Sequence, residues 1–272
     1  MSAAHPRFEK LLRNYDKHAK QVRKATHVNI FETKAEKKAR MAALEADYGK
    51  WFEYYFPMYA KSPCAPFHIN IAKLILENPT VYLLVNWFRG AAKSVHTCMG
   101  IPLFLMVKEE LKFMLLVGQT EKKAQLLLSD IQTQLKFNQR FINDYGEQFQ
   151  HGDWSDGSFT TKQDIHFMAI GIGQSPRGAR HGADRPDYIV VDDVDTKKRC
   201  KNPRLVKEAA EWIMEDLWGC FDEGNERFVF SNNRISKTSI MQTMIEKFEQ
   251  ANEKNKQLGF EKQHFYSRVI AH

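Results

Sequence analysis

Short apolar runs, each too brief for a helix and each separated from the next by a helical stretch, set the strongest limit on how this chain can fold. Val81-Tyr82-Leu83-Leu84-Val85 is the first and Leu111 to Val117 the second. Tyr188-Ile189-Val190-Val191 and Arg227-Phe228-Val229-Phe230 follow, and His264 to Ile270, which is not purely apolar, starts one more strand. A strand buried on both faces reads in this way, without polar alternation. Between these runs the spacing predicts helices over Ser94 to Lys108, Thr120 to Leu135, Arg204 to Trp218 and Thr238 to Phe248. In the second of these, Leu126, Leu127, Ile131 and Leu135 fall on one side and Thr120 is the expected N-cap. Strands alternating with helices predict an α/β fold, a mainly parallel sheet with helices on both faces. Residues 144–186 are rich in Gly, Asp, Ser and Arg around one apolar stretch, Ile165 to Ile170. They predict a hairpin or edge strands and then a long loop. No internal repeat interrupts the pattern.

The start of the chain is of another kind. Residues 1–46 are polar and Lys-rich with few breakers, and predict a basic helical N-terminal arm; residues 47–272 are expected to form the main domain. The block Lys34 to Arg40 could meet DNA phosphates or simply be a solvated helix face. Tyr48 to Tyr59 is aromatic, with Trp51, Phe52, Tyr54, Tyr55 and Phe56. Packing of the arm onto the core explains it better than a platform for stacking bases. The 272 residues carry 43% apolar and 12% aromatic side chains, which excludes a disordered chain. A net charge of +7 favours a polyanionic partner, nucleic acid first. The four cysteines, Cys64, Cys98, Cys200 and Cys220, form no Cys-x-x-Cys pair and are expected to be reduced thiols. The longest purely apolar run, Ile101 to Val107, is too short to span a bilayer, and the N-terminus has no apolar signal core. A soluble, cytoplasmic protein without membrane contact is expected.

Val85-Asn86-Trp87-Phe88-Arg89-Gly90-Ala91-Ala92-Lys93-Ser94 follows a predicted strand and opens a predicted helix. That is the context of a phosphate-binding loop. Backbone N–H groups at a helix start face the phosphates, and the helix dipole favours negative charge there. Lys93 would reach the β- and γ-phosphates, and the Ser94 hydroxyl would ligate Mg²⁺. Arg89, Gly90, Ala91, Ala92 and Val95 complete the expected nucleotide-binding set. The match to G-x-x-x-x-G-K-[ST] is imperfect. Trp87 stands at the first glycine, Ala92 at the second, and Gly90 is displaced into the middle.

Tyr188-Ile189-Val190-Val191-Asp192-Asp193-Val194-Asp195 ends a buried strand in acids. Carboxylates at the carboxyl edge of an open α/β sheet lie where ligands bind. Asp192 is the expected metal ligand and Asp193 the carboxylate that polarises the attacking water. Because Asp is one CH₂ shorter than the Glu common at the second position, Asp195 is the alternative catalytic carboxylate. The two motifs together predict a RecA/ASCE-like P-loop NTPase that uses ATP and Mg²⁺.

This combination resembles the ATPase domain of the bacteriophage large terminase, whose loop in one lineage reads Phe-Arg-Gly-x-x-Lys-Ser, here Phe88 to Ser94. Gly173-Gln174-Ser175-Pro176-Arg177-Gly178-Ala179-Arg180, running into Arg185-Pro186-Asp187 and the aliphatic strand, is a second likeness. The resemblance implies three further roles. Ser231, Asn232 and Asn233 stand in place of the family's coupling motif, although the family usually has Thr or Ser with small residues there. Phe67, in Pro66-Phe67-His68, stands where adenine is contacted. Arg177 is an arginine finger supplied in trans, with Arg180 as the alternative. The resemblance also implies an ATP-driven motor that translocates double-stranded DNA into a procapsid in the host cytoplasm, transiently docked on the portal. Its implied partners are portal protein, the small terminase subunit and further copies of itself in a ring, with a monomer in isolation. The family's RNase H-like nuclease is expected to be absent from these residues, and DNA cleavage with it. Two other readings stay open: a helicase-like P-loop ATPase, and a DNA- or portal-binding scaffold with a degenerate nucleotide site.

Overall fold

The computed structural model describes residues 6–176 and 179–270. In chain order the helices and strands are α1 (Pro6–Ala25), α2 (Lys34–Glu45), α3 (Tyr48–Tyr55), α4 (Pro66–Glu77), β1 (Thr80–Trp87), α5 (Lys93–Val95), α6 (Ile101–Val107) and β2 (Phe113–Gly118). They continue with α7 (Glu121–Phe137), α8 (Gln139–Tyr145), β3 (Ser158–Thr160), β4 (His166–Gly171), β5 (Tyr188–Asp192) and α9 (Lys197–Cys200). Last come α10 (Pro203–Glu211), β6 (Glu226–Ser231), α11 (Ile240–Gln257) and β7 (His264–Val269). The chain divides into two compact units, one of Met1–Cys64 with Ser129–Phe149, the other of Ala65–Leu128 with Gln150–His272.

The first unit is helical. Thr33 starts α2 through a capping box, its hydroxyl accepting from Glu36 N–H at 3.3 Å while the Glu36 carboxylate accepts from Thr33 N–H at 2.8 Å. The aromatic run is packing: Trp51, Phe52, Tyr55 and Phe56 are buried, and Trp51 and Tyr55 both lie against Phe141 of α8. Arg40 is held between Glu32 at 2.6 Å and Asp144 at 2.7 Å. Lys37 donates to the Asn143 carbonyl. Two cations of the Lys34 to Arg40 block are therefore engaged inside the unit.

The second unit is a seven-stranded sheet of order β3-β4-β2-β5-β6-β1-β7. Every pair is parallel except the β3–β4 hairpin, which occupies the glycine-rich region as expected. Both faces are covered. Tyr82, Leu84, Leu115, Val117, Ile189, Val191, Phe228 and Phe230 pack in one core with Val206, Ala210, Met241 and Met244 of α10 and α11. Successive strand residues point to opposite faces, and the alternate set, Val81, Leu83, Met114, Leu116, Val190 and Val229, is buried as well. On that side the Tyr188 hydroxyl donates to the Thr97 carbonyl at 2.7 Å. The fold is therefore the α/β arrangement that the apolar runs predict.

The differences lie at element ends. The expected helix from Ser94 to Lys108 is interrupted by a π-helical turn, His96–Gly100, where Ile101 N–H bonds to His96 O, five residues back. Pro102 follows at once; lacking an N–H, it cannot continue the regular ladder. The second strand starts at Phe113 rather than Leu111. The buried Asp187 carboxylate takes the N–H groups of Lys112 and Phe113, at 2.8 and 3.0 Å, at the strand entry. The helix read from Arg204 starts at Pro203 behind the Asn202 cap and gives way to a π-helical turn at Trp212–Leu217. The last helix starts at Ile240 behind the Ser239 cap rather than at Thr238, and runs on to Gln257, past the apolar spacing that ends at Phe248.

Candidate functional site

The sheet register sets the site. Val85 of β1, Ser231 of β6 and Asp192 of β5 lie side by side in one row across three parallel strands. β1 continues to Trp87, then leaves the sheet through Phe88 to Ala92 and enters α5 at Lys93. Two backbone conformations make that path. Gly90 has φ +86°, where no Cβ is tolerated well, and Ala92, with φ 54° and ψ 26°, is left-handed just before the helix. The loop thus uses positive φ at a glycine and at an alanine, which is how the displaced Gly90 and the substituted Ala92 still form a tight strand-to-helix turn.

A histidine fixes this loop from outside. His68 Nδ1 accepts from Ala65 N–H at 3.1 Å, so Nε2 carries the proton and donates to Ala91 O at 2.9 Å. Burial holds the His68 pKa below the ordinary value and keeps the ring neutral. His68 also stacks on His96, ring centroids 4.0 Å apart, and burial pushes His96 down to about 3. Nothing in the sequence signals this latch, because His68 meets Ala91 only once α4 packs beside β1. Phe67 packs edge-on against Trp87, centroids 4.7 Å apart, beside the loop and outside the set that lines the cleft.

The cleft itself holds about 450 Å³ and is lined by Arg89, Gly90, Ala92, Lys93, Ser94, Val95, Asp192, Asp193 and Ser231 to Asn233. Lys93 Nζ donates to Trp87 O at 2.9 Å, to Phe88 O at 3.3 Å and to Asn233 Oδ1 at 2.8 Å. Burial lowers the Lys93 pKa, Asp192 and Asp193 act to raise it, and Arg89 lowers it further. Ser94 Oγ donates to the Asp192 carboxylate at 2.8 and 3.0 Å. Asp192 is 6% exposed, and burial raises its pKa to about 6 against the hydroxyl of Ser94. Ser231, fully buried beside it, turns its hydroxyl toward the same carboxylate without closing a full hydrogen bond. A hydroxyl and a carboxylate in contact, with a further buried hydroxyl at hand, are hard oxygen donors of the kind Mg²⁺ takes. Asp193 is exposed, with φ 47°, and its N–H donates to Ser231 O at 3.0 Å.

Asp195 stands apart from this set. One carboxylate oxygen accepts from Ile240 N–H at 2.9 Å and the other from Met241 N–H at 3.0 Å, at the start of α11. Asn232 Nδ2 adds a third donor at 3.0 Å and Cys200 Sγ a fourth at 3.6 Å. Asn232 therefore joins the cleft floor to the cap of α11. Arg180 and Arg185 line a different hollow, about 250 Å³, with Glu215, Asp216 and Cys220. Arg177 lies outside the described residues.

The fold and the cleft define a class. β6 separates the strand that leads to Lys93 from the strand that ends in Asp192, and the cleft sits at the carboxyl ends of all three, as in a RecA-like P-loop fold. In structure the chain is similar to the large terminase from a thermophilic bacteriophage. For one crystal form of that protein the TM-score is 0.46 at 9% identity, over 76% of this chain and 45% of that one. For another the TM-score is 0.47 at 10% identity, over 76% and 46%. This chain thus spans less than half the length of those proteins. No family model matches it, and no curated protein matches it in sequence. Among the described residues, no helix is long and apolar enough to cross a membrane.

Proposed function

We propose that this chain is an ATP-hydrolysing motor domain of the large-terminase type, which drives double-stranded DNA into a procapsid. One observation carries the reading: the Ser94 hydroxyl touches the buried Asp192 carboxylate, with Lys93 and Asp193 in the same cleft. Ser94 and Asp192 would hold Mg²⁺, which when bound neutralises charge on the β- and γ-phosphate oxygens. Lys93 would exchange the Trp87 carbonyl and Asn233 for phosphate oxygens. Asp193, exposed at the cleft mouth, would accept a hydrogen bond from the attacking water and orient it. Asn233, released by Lys93, would pass the change through Asn232 and Asp195 to α11, which is the coupling role. Arg177 from a neighbouring copy is the proposed trans arginine. Portal protein, the small terminase subunit and a ring of copies in the host cytoplasm complete the proposal.

Phosphate release with and without duplex DNA tests it. Duplex-stimulated turnover, lost in Lys93→Ala and in Asp193→Asn, is the expected result. A chain that binds no Mg²⁺-nucleotide would be the silent scaffold instead. Strand displacement on a forked duplex would make it helicase-like.

A further inference from the structure

A second cleft opens beside the nucleotide cleft and shares Arg89 and Asn233 with it. It holds about 560 Å³, and its lining includes Arg89 after β1, Arg234 after β6 and Arg268 on β7. All three guanidinium side chains are exposed. Arg40, Arg204 and Arg227 each have a carboxylate within 2.7 Å. Arg89, Arg234 and Arg268 have none within ion-pair distance among the described residues. Three exposed cations without a carboxylate partner line one concavity, and an anion placed there is attracted by all three.

We propose that this cleft takes the sugar-phosphate backbone of duplex DNA; the inference rests on the motor reading above and gives it a contact site. Four observations favour a backbone over a lone anion. The three arginines come from three neighbouring strands, β6, β1 and β7, whose ends span about 10 Å, more than one phosphate ion covers. Guanidinium forks bind phosphate oxygens in pairs, and three of them suit successive phosphates. Exposed Phe88 and Ile270 on the same lining give apolar contact for sugar edges. The chain as a whole is basic, with a net charge of +7. The placement has a consequence for the nucleotide site. Arg89 lines both clefts, so a phosphate held by it in one stands at the border of the other. The backbone and the nucleotide are then sensed by one side chain.

Binding of a short, blunt, fluorescein-labelled duplex, followed by anisotropy over a range of salt concentrations, tests the proposal. Arg234→Ala and Arg268→Ala should each weaken binding about threefold to tenfold and reduce the slope of log affinity against log salt by about 0.9. Arg204→Ala, whose side chain pairs with Glu208 away from the cleft, should match the wild type. Wild-type affinity and slope in both cleft variants overturn the proposal, and so does a wild-type chain that binds no duplex. Displacement by inorganic phosphate as effective as unlabelled duplex reduces the cleft to a lone-anion site and also overturns it. Displacement by polyglutamate at equal charge assigns the cleft to an acidic protein instead. A fluorescent nucleotide with Mg²⁺ is titrated in parallel. Its loss in Arg234→Ala with duplex binding kept gives the cleft to the nucleotide. A wild-type chain that binds duplex through these arginines but binds no nucleotide sinks the motor reading and leaves this one standing.

Discussion

Asp192 places a carboxylate where burial opposes its charge. Its carboxylate is 6% exposed, and the Ser94 hydroxyl offsets only part of the burial that raises its pKa to about 6 from an ordinary 3.8. The sign of the consequence is fixed. Between pH 4 and 6 the folded chain holds this proton while the unfolded chain has lost it, so stability falls as pH rises through that window. Above pH 6 the folded chain bears the whole cost of the buried charge. Asp192→Asn should therefore stabilise the nucleotide-free protein at pH 7 by on the order of 1–3 kcal/mol. It should also flatten stability between pH 4 and 6 and weaken Mg²⁺-nucleotide binding. Urea unfolding across that pH range, beside nucleotide titration, checks all three. A destabilised variant would mean that the carboxylate is a structural anchor. Asp193 contrasts with it: exposed and left-handed, it is free of the core, and Asp193→Asn should keep binding and lose turnover. Lys93→Ala should lower phosphate release by about 10²–10³, the usual loss for one electrostatic contact to developing charge. If Arg89→Ala is dead while Lys93→Ala turns over normally, the two cations exchange roles.

At the scale of elements, the cap on α11 decides what Asp195 does. Removing its carboxylate leaves the Ile240 and Met241 N–H groups without their side-chain acceptor in a buried place, and takes one of two acceptors from the Asn232 amide. Lost caps cost about 1 kcal/mol and buried orphans about 1–3 kcal/mol each. Asp195→Ala should accordingly lower stability by about 2 kcal/mol or more, read by urea unfolding, and Asp195→Asn less. Turnover per folded molecule should survive in Asp195→Asn. A stable but inactive Asp195→Asn would instead make Asp195 the catalytic carboxylate. The same elements mark what the sequence could tell. Buried parallel strands announce themselves because both faces are apolar, so β1, β2, β5 and β6 were legible, and with them the edge that carries Lys93 and Asp192. Element ends were not. The start of β2 depends on Asp187, more than 70 positions away in the chain, and the π-helical turn on where Pro102 falls against the ladder. The site was legible where residues are neighbours in sequence, as Lys93-Ser94 and Asp192-Asp193 are. It was not where packing creates the neighbour, as with His68 at Ala91, Asn233 at Lys93, and the trio of Arg89, Arg234 and Arg268.

For the whole molecule, the proposed ATPase reading asks for more positive charge at the transferring phosphoryl group than the cleft lining of one chain offers. Among the described residues, Lys93 and Arg89 are the two cationic ones that line the cleft. Arg180 and Arg185 face Glu215 and Asp216 in another hollow of the same unit, where within one chain they do not reach the cleft lining. In a ring, a residue remote from its own cleft can stand beside its neighbour's, and an arginine so placed contributes about 10³–10⁵ to kcat. Arg177, which Pro176 and Gly178 flank in sequence, remains the first choice for that role, with Arg180 second. Hydrolysis should then depend on assembly, and two dead variants should repair each other. Lys93→Ala subunits retain the arginine and lack the cleft lysine; Arg177→Ala subunits retain a complete cleft and lack the arginine. Mixed under conditions in which the wild type assembles, they should recover a measurable part of its phosphate release, while each alone stays silent. A mixture as dead as its parts, or a dilute monomer turning over at the full assembled rate, would show that Arg177 does not act across subunits. Recovery with Arg180→Ala in place of Arg177→Ala, but not with Arg177→Ala, would move the role to Arg180.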